Sequence, residues 1–169
     1  FVGCDTVLSG LNVRPVYAEG KIDTVRACRY WRVVLPAETA CAEVVCFDGQ
    51  GERVRGSVDA VSAAGFDDDP LTNTGPYPSP VIDFGRPVSL SRIVCLPRGD
   101  GNGIYPGDEY ELFYHDLSGW KSLGRKVAAD YHVDFEGVPS GALLWLHNRT
   151  EGVEERVFTV EEDGEIRYW

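Results

Sequence analysis

From Arg29 onward, short runs of β-branched and aromatic residues alternate with turn residues. The first two runs, 29–35 and 42–47, are separated by a loop that contains a proline, and a turn at Asp48 and Gly49 precedes a third run at 53–58. Further runs follow, with Gly, Pro, Asp or Asn between nearly every pair, at 81–84, 90–96, 110–114, 120–123, 132–135, 142–146 and 157–160. Short runs of this composition, bounded by turn residues, predict β-strands.

No window of the sequence has helical periodicity. The dipeptide Asp163-Gly164, between Val160 and Ile166, predicts a β-hairpin near the end of the chain. Many short strands with turn residues between them, and no helix, are typical of a β-sandwich or a barrel. The sequence therefore predicts an all-β fold.

The strand pattern also predicts the domain organisation. Residues 1–28 are weakly patterned and are expected to be an N-terminal segment, a linker or one edge strand, whereas residues 29–169 are expected to form one β-sandwich domain. A length of 169 residues and an apolar content of 43% are sufficient for one core. Because the sequence begins at Phe1 and contains no methionine, we expect a processed product or a piece of a longer protein whose other domains are missing.

The net charge narrows the class of partner. The chain has 16 Lys and Arg against 27 Asp and Glu, a formal charge of -11, and its basic residues form no cluster longer than a pair. Nucleic acids and anionic membranes bind basic surfaces, so both are poor partners for this chain. No apolar run approaches the roughly 20 residues of a membrane-spanning helix, and no membrane insertion is expected.

The cysteines leave two interpretations open. There are five, an odd number, and no pair of them has the spacing of a zinc site: Cys4, Cys28, Cys41, Cys46 and Cys95. Free thiols buried in strands are one interpretation, because a free cysteine behaves as a small buried apolar residue. A single disulfide bond among the last four is the other, and its connectivity cannot be read from the sequence.

The long loop at 60–80 carries the first candidate site. Three consecutive aspartates lie in it, and Asp67, Asp69 and Thr72 place two carboxylates and a hydroxyl within six residues. Calcium takes six to eight oxygen ligands, often with backbone carbonyls of irregular chain among them, so the loop is a candidate calcium site. The alternative is that the aspartates only cap neighbouring backbone amides in a solvated turn.

Three stretches, in order, resemble discoidin-like (F5/8 type C) domains, which include family 32 carbohydrate-binding modules. Residues 64–72 resemble the loop A-x-D-G-N-x-x-T, residues 81–85 the strand IDLG, and residues 97–113 the segment PR…NG…YEI. Trp120 and the run 142–146 also fall where that family has a tryptophan and a strand. The resemblance covers residues 29 to the end. Residues 106–110 and 154–156 and the terminal aromatic residue after a Gly turn are in addition similar to surface proteins of gut Bacteroides-type bacteria.

The sequence departs from the family in two places. Asp68 stands where the family usually has glycine. The segment 29–47 itself resembles the closing strands of the family, so the domain either begins with an extra strand pair or follows the tail of a preceding repeat.

The resemblance implies a discoidin or galactose-binding-like jelly roll that binds a glycan and holds a structural calcium ion. A glutamate from a closing strand would complete the calcium shell, with Glu43 the first choice and Glu155 the second. An arginine and an asparagine of the family contact sugar hydroxyls, which points to Arg98 and Asn102. Loop residues near them, or on the acidic loop, complete the candidate ligand set: Asp100, Tyr105 and Tyr77. Alternatively, Arg98 pairs with a nearby acid and Tyr105 fills the space under its loop.

Catalytic motifs are missing from the sequence. His115, His132 and His147 form no HExxH motif, and there is no GxSxG motif. Adjacent carboxylates on a strand point to opposite faces, so they cannot flank one bond. The four tryptophans are interpreted as core or edge packing more readily than as a sugar platform: Trp31, Trp120, Trp145 and Trp169.

The sequence thus predicts a non-catalytic carbohydrate-binding domain of a secreted, periplasmic or cell-surface protein. A structural or protein-interaction β-sandwich without a sugar site is the alternative, because one fold serves many functions.

Overall fold

The structure is a computed structural model that describes residues 7–8, 11–13, 18–22, 26–34, 40–75, 79–99 and 101–169. Strands account for 49% of the chain and helix for 2%, and every strand pairing in the described ranges is antiparallel. The predicted all-β sandwich class is therefore confirmed, whereas the jelly-roll strand order stays a prediction. No helix of the described part is long and apolar enough to cross a membrane.

In chain order the strands are β1 (Val7–Leu8), β2 (Leu11–Val13), β3 (Ala18–Lys21), β4 (Cys28–Arg32), β5 (Cys41–Asp48), β6 (Arg53–Val54), β7 (Val81–Val88), β8 (Leu90–Pro97), β9 (Glu109–Asp116), β10 (Gly119–Val127), β11 (Val133–Phe135), β12 (Val138–Pro139), β13 (Leu144–Asn148), β14 (Val157–Val160) and β15 (Ile166–Tyr168). A short 3-10 helix spans Ala63–Gly65. The chain divides into two compact units, which we name the middle unit (16–101) and the terminal unit (1–15 with 102–169). The expected single domain of residues 29–169 stays a prediction.

The middle unit contains a four-stranded sheet in the order β3, β8, β5, β6 and a separate pair, β4 with β7. The first six residues of β5 are all buried, as expected for a central strand that is covered on both faces. Three of them, Cys41, Val44 and Cys46, pack in one core with residues of neighbouring elements: Val33, Ile82, Val88 and Leu90. Glu43 is the one charged side chain of that buried run. A buried charge is costly unless it is paired, so Glu43 is a candidate functional residue.

The terminal unit contains a five-stranded sheet in the order β10, β9, β13, β14, β15, with two small pairs, β1 with β12 and β2 with β11. One face of this sheet covers a core that includes Tyr110, Leu112 and Leu144. The hairpin predicted at Asp163-Gly164 is confirmed, because β14 pairs with β15 and Gly164 has a φ of +85°. Successive strand residues alternate between faces, so the opposite face of the sheet presents a second set of side chains.

In the described part of residues 29–47, which resemble closing strands, β4 and β5 do not pair with each other. β4 pairs with β7, and β5 lies between β8 and β6. Within the weakly patterned segment 1–28, the structure describes β1, β2 and β3, and β3 is the edge strand beside β8.

Candidate functional site

The hydroxyl of Thr72 lies among four oxygen atoms of the acidic loop. Its Oγ1 is 2.8 Å from the carbonyl oxygen of Ala64, 3.1 Å from that of Asp69, and 2.9 and 3.1 Å from the two carboxylate oxygens of Asp67. A hydroxyl has one proton and can donate to only one of these four acceptors. Backbone N–H groups of Thr72 and Asp69 donate to two of them, the Asp69 carbonyl oxygen and Asp67 Oδ1, so the Ala64 carbonyl oxygen and Asp67 Oδ2 compete for the hydroxyl proton.

The two aspartates also serve the backbone of their own loop. The N–H of Asp69 donates to Asp67 Oδ1 at 3.0 Å, and the N–H of Leu71 donates to Asp69 Oδ1 at 2.9 Å. These bonds are the amide caps that form the alternative interpretation of the loop. The Asp67 carboxylate contacts both a backbone amide and the Thr72 hydroxyl. The Asp69 carboxylate contacts only the Leu71 amide, and it is the Asp69 carbonyl oxygen that contacts Thr72.

Asp68 has a left-handed backbone, with a φ of 65°. This region favours glycine, which is the residue that the resembling family has at this position, and a side chain there costs roughly 1–3 kcal/mol. The Asp68 carboxylate forms ion pairs with Arg53 and Arg55, and its N–H donates to Glu43 Oε2 at 3.1 Å. These contacts offset the strain and hold the loop against β5 and β6.

Glu43 is buried beside this loop, with 5% of its surface exposed. Burial raises its pKa to about 7, and the negative charges of Asp68 and Asp67 act in the same direction. Arg53, 3.5 Å from Glu43 Oε1, only partly opposes that rise. Burial and the neighbouring carboxylates thus outweigh the attraction of Arg53 for the Glu43 carboxylate.

Glu155, the second choice for the calcium shell, lies in the terminal unit and has other partners there. No group of three or more His, Cys, Asp or Glu side chains in the described ranges is arranged to hold a metal ion. Around Thr72, however, the oxygens are two backbone carbonyls and one carboxylate beside the hydroxyl, and calcium accepts ligands of all three kinds. A nearby cavity of about 20 Å³, bordered by Glu43, Arg53 and Phe66, has room for roughly one water molecule and is too small for a sugar.

The candidate sugar-binding residues have structural contacts of their own. Arg98 is exposed and its N–H donates to the Ala40 carbonyl oxygen in the middle unit. Asn102 and Tyr105 belong to the terminal unit, where the N–H of Tyr105 donates to the Tyr110 hydroxyl at 2.9 Å. A Cβ atom at Gly103 would come 2.6 Å from the Tyr105 hydroxyl, so the Tyr105 ring packs on its own loop. Asp100 and Tyr77 lie outside the described residues.

The solvent side of the five-stranded sheet carries an aromatic group, which we name the aromatic face: Phe113, His115, Trp120, Trp145 and His147. The rings of Phe113 and Trp145 stack with centroids 5.0 Å apart, and Trp120 meets Trp145 edge-on at 5.8 Å. His115 contacts Trp120 and His147 contacts Trp145, both at 5.1 Å. Trp120 remains 38% exposed, so the aromatic face is open to solvent.

Strand alternation and one carboxylate position this face. Trp145 and His147 alternate along β13 with Leu144 and Leu146, which pack on the core side. The carboxylate of Glu155 accepts hydrogen bonds from Trp145 Nε1 at 2.6 Å and from the Asn148 N–H at 2.6 Å, and it lies 3.0 Å from His147 Nδ1. The Trp145 ring is therefore fixed before any ligand arrives.

Charged and polar groups border the aromatic face. The Glu111 carboxylate accepts hydrogen bonds from Ser122, Arg125 and Arg149, at 2.7, 2.9 and 2.9 Å, and the bond from Ser122 is the first cause of its lowered pKa. Further along the sheet, Trp169 donates to the Thr159 hydroxyl, and the guanidinium of Arg167 lies 4.4 Å from its ring centroid. Hydrogen-bonding groups thus lie beside the aromatic face at Glu111, which is opposite His147 on the neighbouring strand.

Sequence reasoning missed the aromatic face, since it interpreted the tryptophans as packing. A signal was present in the pairs Phe113 with His115 and Trp145 with His147, because residues two apart on a strand share one face.

No family model matches this sequence, and no curated protein or solved structure matches it. The resemblance to discoidin-like domains is therefore used only as support for the function proposed below.

Proposed function

We propose that this chain is a non-catalytic carbohydrate-binding domain of discoidin type, with one structural calcium ion, in a larger exported protein at the cell surface, in the periplasm or outside the cell. The aromatic face is the observation that carries the proposal. Its rings are open to solvent, fixed on strands, and bordered by polar groups.

The chemistry of a sugar fits such a surface. A pyranose ring has apolar C–H faces that stack on an indole ring, and its hydroxyl groups require hydrogen-bond donors and acceptors at the ring edge. Trp120 and Trp145 offer the ring faces, and His115 and His147 offer the polar groups beside them. The face crosses β10, β9 and β13, which is roughly 10 Å at a spacing of about 4.8 Å between strands. A short oligosaccharide lying across the strands would cover it.

A calcium ion fits the acidic loop. The atoms that would hold it are the carboxylate of Asp67, the hydroxyl of Thr72 and the carbonyl oxygens of Ala64 and Asp69, with the Glu43 carboxylate beside them. Calcium prefers oxygen ligands of these kinds, and its charge would offset the local excess of carboxylates. It would act structurally, by joining the loop to β5.

The loop residues predicted from the resemblance remain a second candidate contact set: Arg98, Asp100, Asn102, Tyr105 and Tyr77. A glycan held at that loop would depend on Arg98, and a glycan held on the aromatic face would not. Substitution of Arg98 and Trp120 therefore separates the two locations.

A protein-interaction domain is the second candidate function. Exposed tryptophans favour it, because tryptophan is among the residues that contribute most to protein interfaces. In that case the aromatic face would bind a partner protein and no glycan.

The experiment is a glycan array probed with the whole chain, followed by titration of each glycan that binds. Trp120→Ala should weaken binding at least about tenfold, a loss of about 1.4 kcal/mol, and leave the protein folded at the temperature of the titration. Tyr30→Ala is the matched control, since Tyr30 is 59% exposed but lies outside the aromatic face. An array without specific binding would contradict the proposed function, and full binding by Trp120→Ala would exclude the aromatic face.

A further inference from the structure

Cys41 and Cys95 lie on neighbouring strands and belong to one core. β5 and β8 are antiparallel, with Val44 opposite Cys95 and Cys41 opposite Pro97. A register shift between Cys41 and Glu43 interrupts the pairing, as in a β-bulge, which re-aims side chains. The thiol of Cys41 is 3.1 Å from the Leu96 carbonyl oxygen, and Cys95 packs against the same buried core that contains Cys41.

The two thiols differ in access and in acidity. Cys41 is 1% exposed, whereas Cys95 is only partly buried. The hydrogen bond from Cys41 lowers the pKa of Cys95, while the same bond and burial raise the pKa of Cys41. Burial raises the pKa of the neighbouring Cys46 to about 12. Cys95 is thus the thiol of this group that a reagent can reach.

We propose that Cys41 and Cys95 form a disulfide bond when the protein meets an oxidised thiol such as glutathione disulfide. The Cys95 thiolate attacks one sulfur of glutathione disulfide and releases one glutathione thiolate, which leaves a mixed disulfide on Cys95. Cys41 loses its proton to solvent, and its sulfur attacks the Cys95 sulfur and releases the second glutathione. Two protein thiols are oxidised, and one glutathione disulfide is reduced to two thiols.

The bond would also secure the base of the acidic loop. The carbonyl oxygen of Cys41 accepts a hydrogen bond from the Thr74 N–H at 2.9 Å, just beyond Thr72. A cross-link between β5 and β8 constrains the unfolded chain over the whole segment between the two cysteines. The oxidised protein should therefore melt several degrees above the reduced protein. This inference does not depend on the proposed function.

The test is a peptide map of the folded chain after incubation with excess glutathione disulfide and alkylation of the remaining thiols. Trypsin yields fragment 93–98, which carries Cys95, and fragment 33–53, which carries both Cys41 and Cys46. A glutamate-specific protease then cleaves after Glu43 and separates those two cysteines. The expected product joins the Cys41 fragment to 93–98, with the mass of both fragments less two hydrogens.

Variants check the assignment. Cys46→Ser should retain both the cross-link and the rise in melting temperature, whereas Cys95→Ser should lose both. If Cys95→Ser does not fold, the wild-type map with Cys46→Ser decides the question alone. A fragment joining Cys95 to Cys46 or to any cysteine other than Cys41, or the absence of any joined fragment from oxidised wild type, would overturn the proposal.

Discussion

The indole N–H of Trp145 donates a hydrogen bond to the Glu155 carboxylate across 2.6 Å. The same carboxylate accepts the N–H of Asn148 and lies against His147, so it joins the loop after β13 to the aromatic face. Glu155→Gln keeps the shape but replaces one acceptor oxygen with an NH₂ group. We expect a loss of roughly 1.5–3 kcal/mol in the free energy of unfolding, the range for hydrogen bonds to a charged group.

Urea denaturation of Glu155→Gln measures this loss. The adjacent, exposed Glu154 supplies the control, and Glu154→Gln should stay within about 0.5 kcal/mol of wild type, as is usual for surface positions. An equal loss in both variants would assign the effect to net charge instead of to the Trp145 contact.

Gly56 lies where the chain passes close to β7. A Cβ atom there would collide with a methyl group of Ile82 and come 2.9 Å from the Asp83 carbonyl oxygen. Two hydrogen bonds of 2.8 Å between Ser57 and Asp83 hold the backbones together, so neither can move away. Gly56→Ala should therefore cost roughly 1–3 kcal/mol in the free energy of unfolding.

Thermal denaturation compares this variant with Gly49→Ala. A Cβ atom at Gly49 has no atom within 4 Å, so this control should melt within a degree or two of wild type. A Gly56→Ala protein that melts with the control would show that β7 and the chain at Gly56 separate easily.

The strands could be predicted where composition and burial agree. β5 matches its predicted run of 42–47 to within one residue at each end, because its apolar residues are buried on both faces. β7 continues past its predicted end through Gly85 and Pro87. Both residues lie where the pairing with β4 shifts register, and proline is tolerated there because it need not donate a hydrogen bond to the neighbouring strand. β12 has only two residues, too few to form a pattern.

The acidic loop and the aromatic face differ in how far a sequence can predict them. Asp67, Asp69 and Thr72 are close in sequence, so a local motif was enough to select them. Glu43 is distant from them in sequence, so it could be selected only from the resemblance. In the structure it accepts the N–H of Asp68. Trp120 and Trp145 meet only because β9 lies between β10 and β13, and this strand order depends on long-range pairing that no local pattern encodes.

Glu111 should make stability depend on pH. Hydrogen bonds from Ser122 and Arg125 lower its pKa in the folded protein below the ordinary 4.5. The folded state then binds fewer protons than the unfolded state, so these bonds contribute fully above that value and their contribution is lost as the pH falls below it. Wild type should melt higher than Glu111→Gln at neutral pH, and the difference should shrink in acid.

Melting temperatures recorded across the acid range test this expectation. Glu136→Gln, at an exposed position, should show no such trend. A difference between wild type and Glu111→Gln that stays constant from neutral pH into strong acid would mean that the ionised carboxylate contributes nothing.

The calcium proposal distinguishes between two neighbouring aspartates. Asp67 directs its carboxylate at the Thr72 hydroxyl, whereas Asp69 contributes a carbonyl oxygen and uses its carboxylate on the Leu71 amide. Asp67→Asn weakens the ligand set, and Asp69→Asn leaves both the carbonyl oxygen and an amide acceptor in place. Calcium should therefore raise the melting temperature of wild type and of Asp69→Asn, but not that of Asp67→Asn or Thr72→Val.

The measurement is thermal denaturation in excess chelator, then in calcium, then in magnesium. An ion that binds only the folded state stabilises it by about 2.7 kcal/mol at one hundred times its dissociation constant. Magnesium should be less effective, because it requires a tighter octahedral site. If wild type melts at the same temperature in chelator and in calcium, the aspartates only cap backbone amides and the loop binds no ion. A calcium response that Asp69→Asn abolishes would instead mean that the Asp69 carboxylate turns from Leu71 to the ion, as the sequence alone predicted.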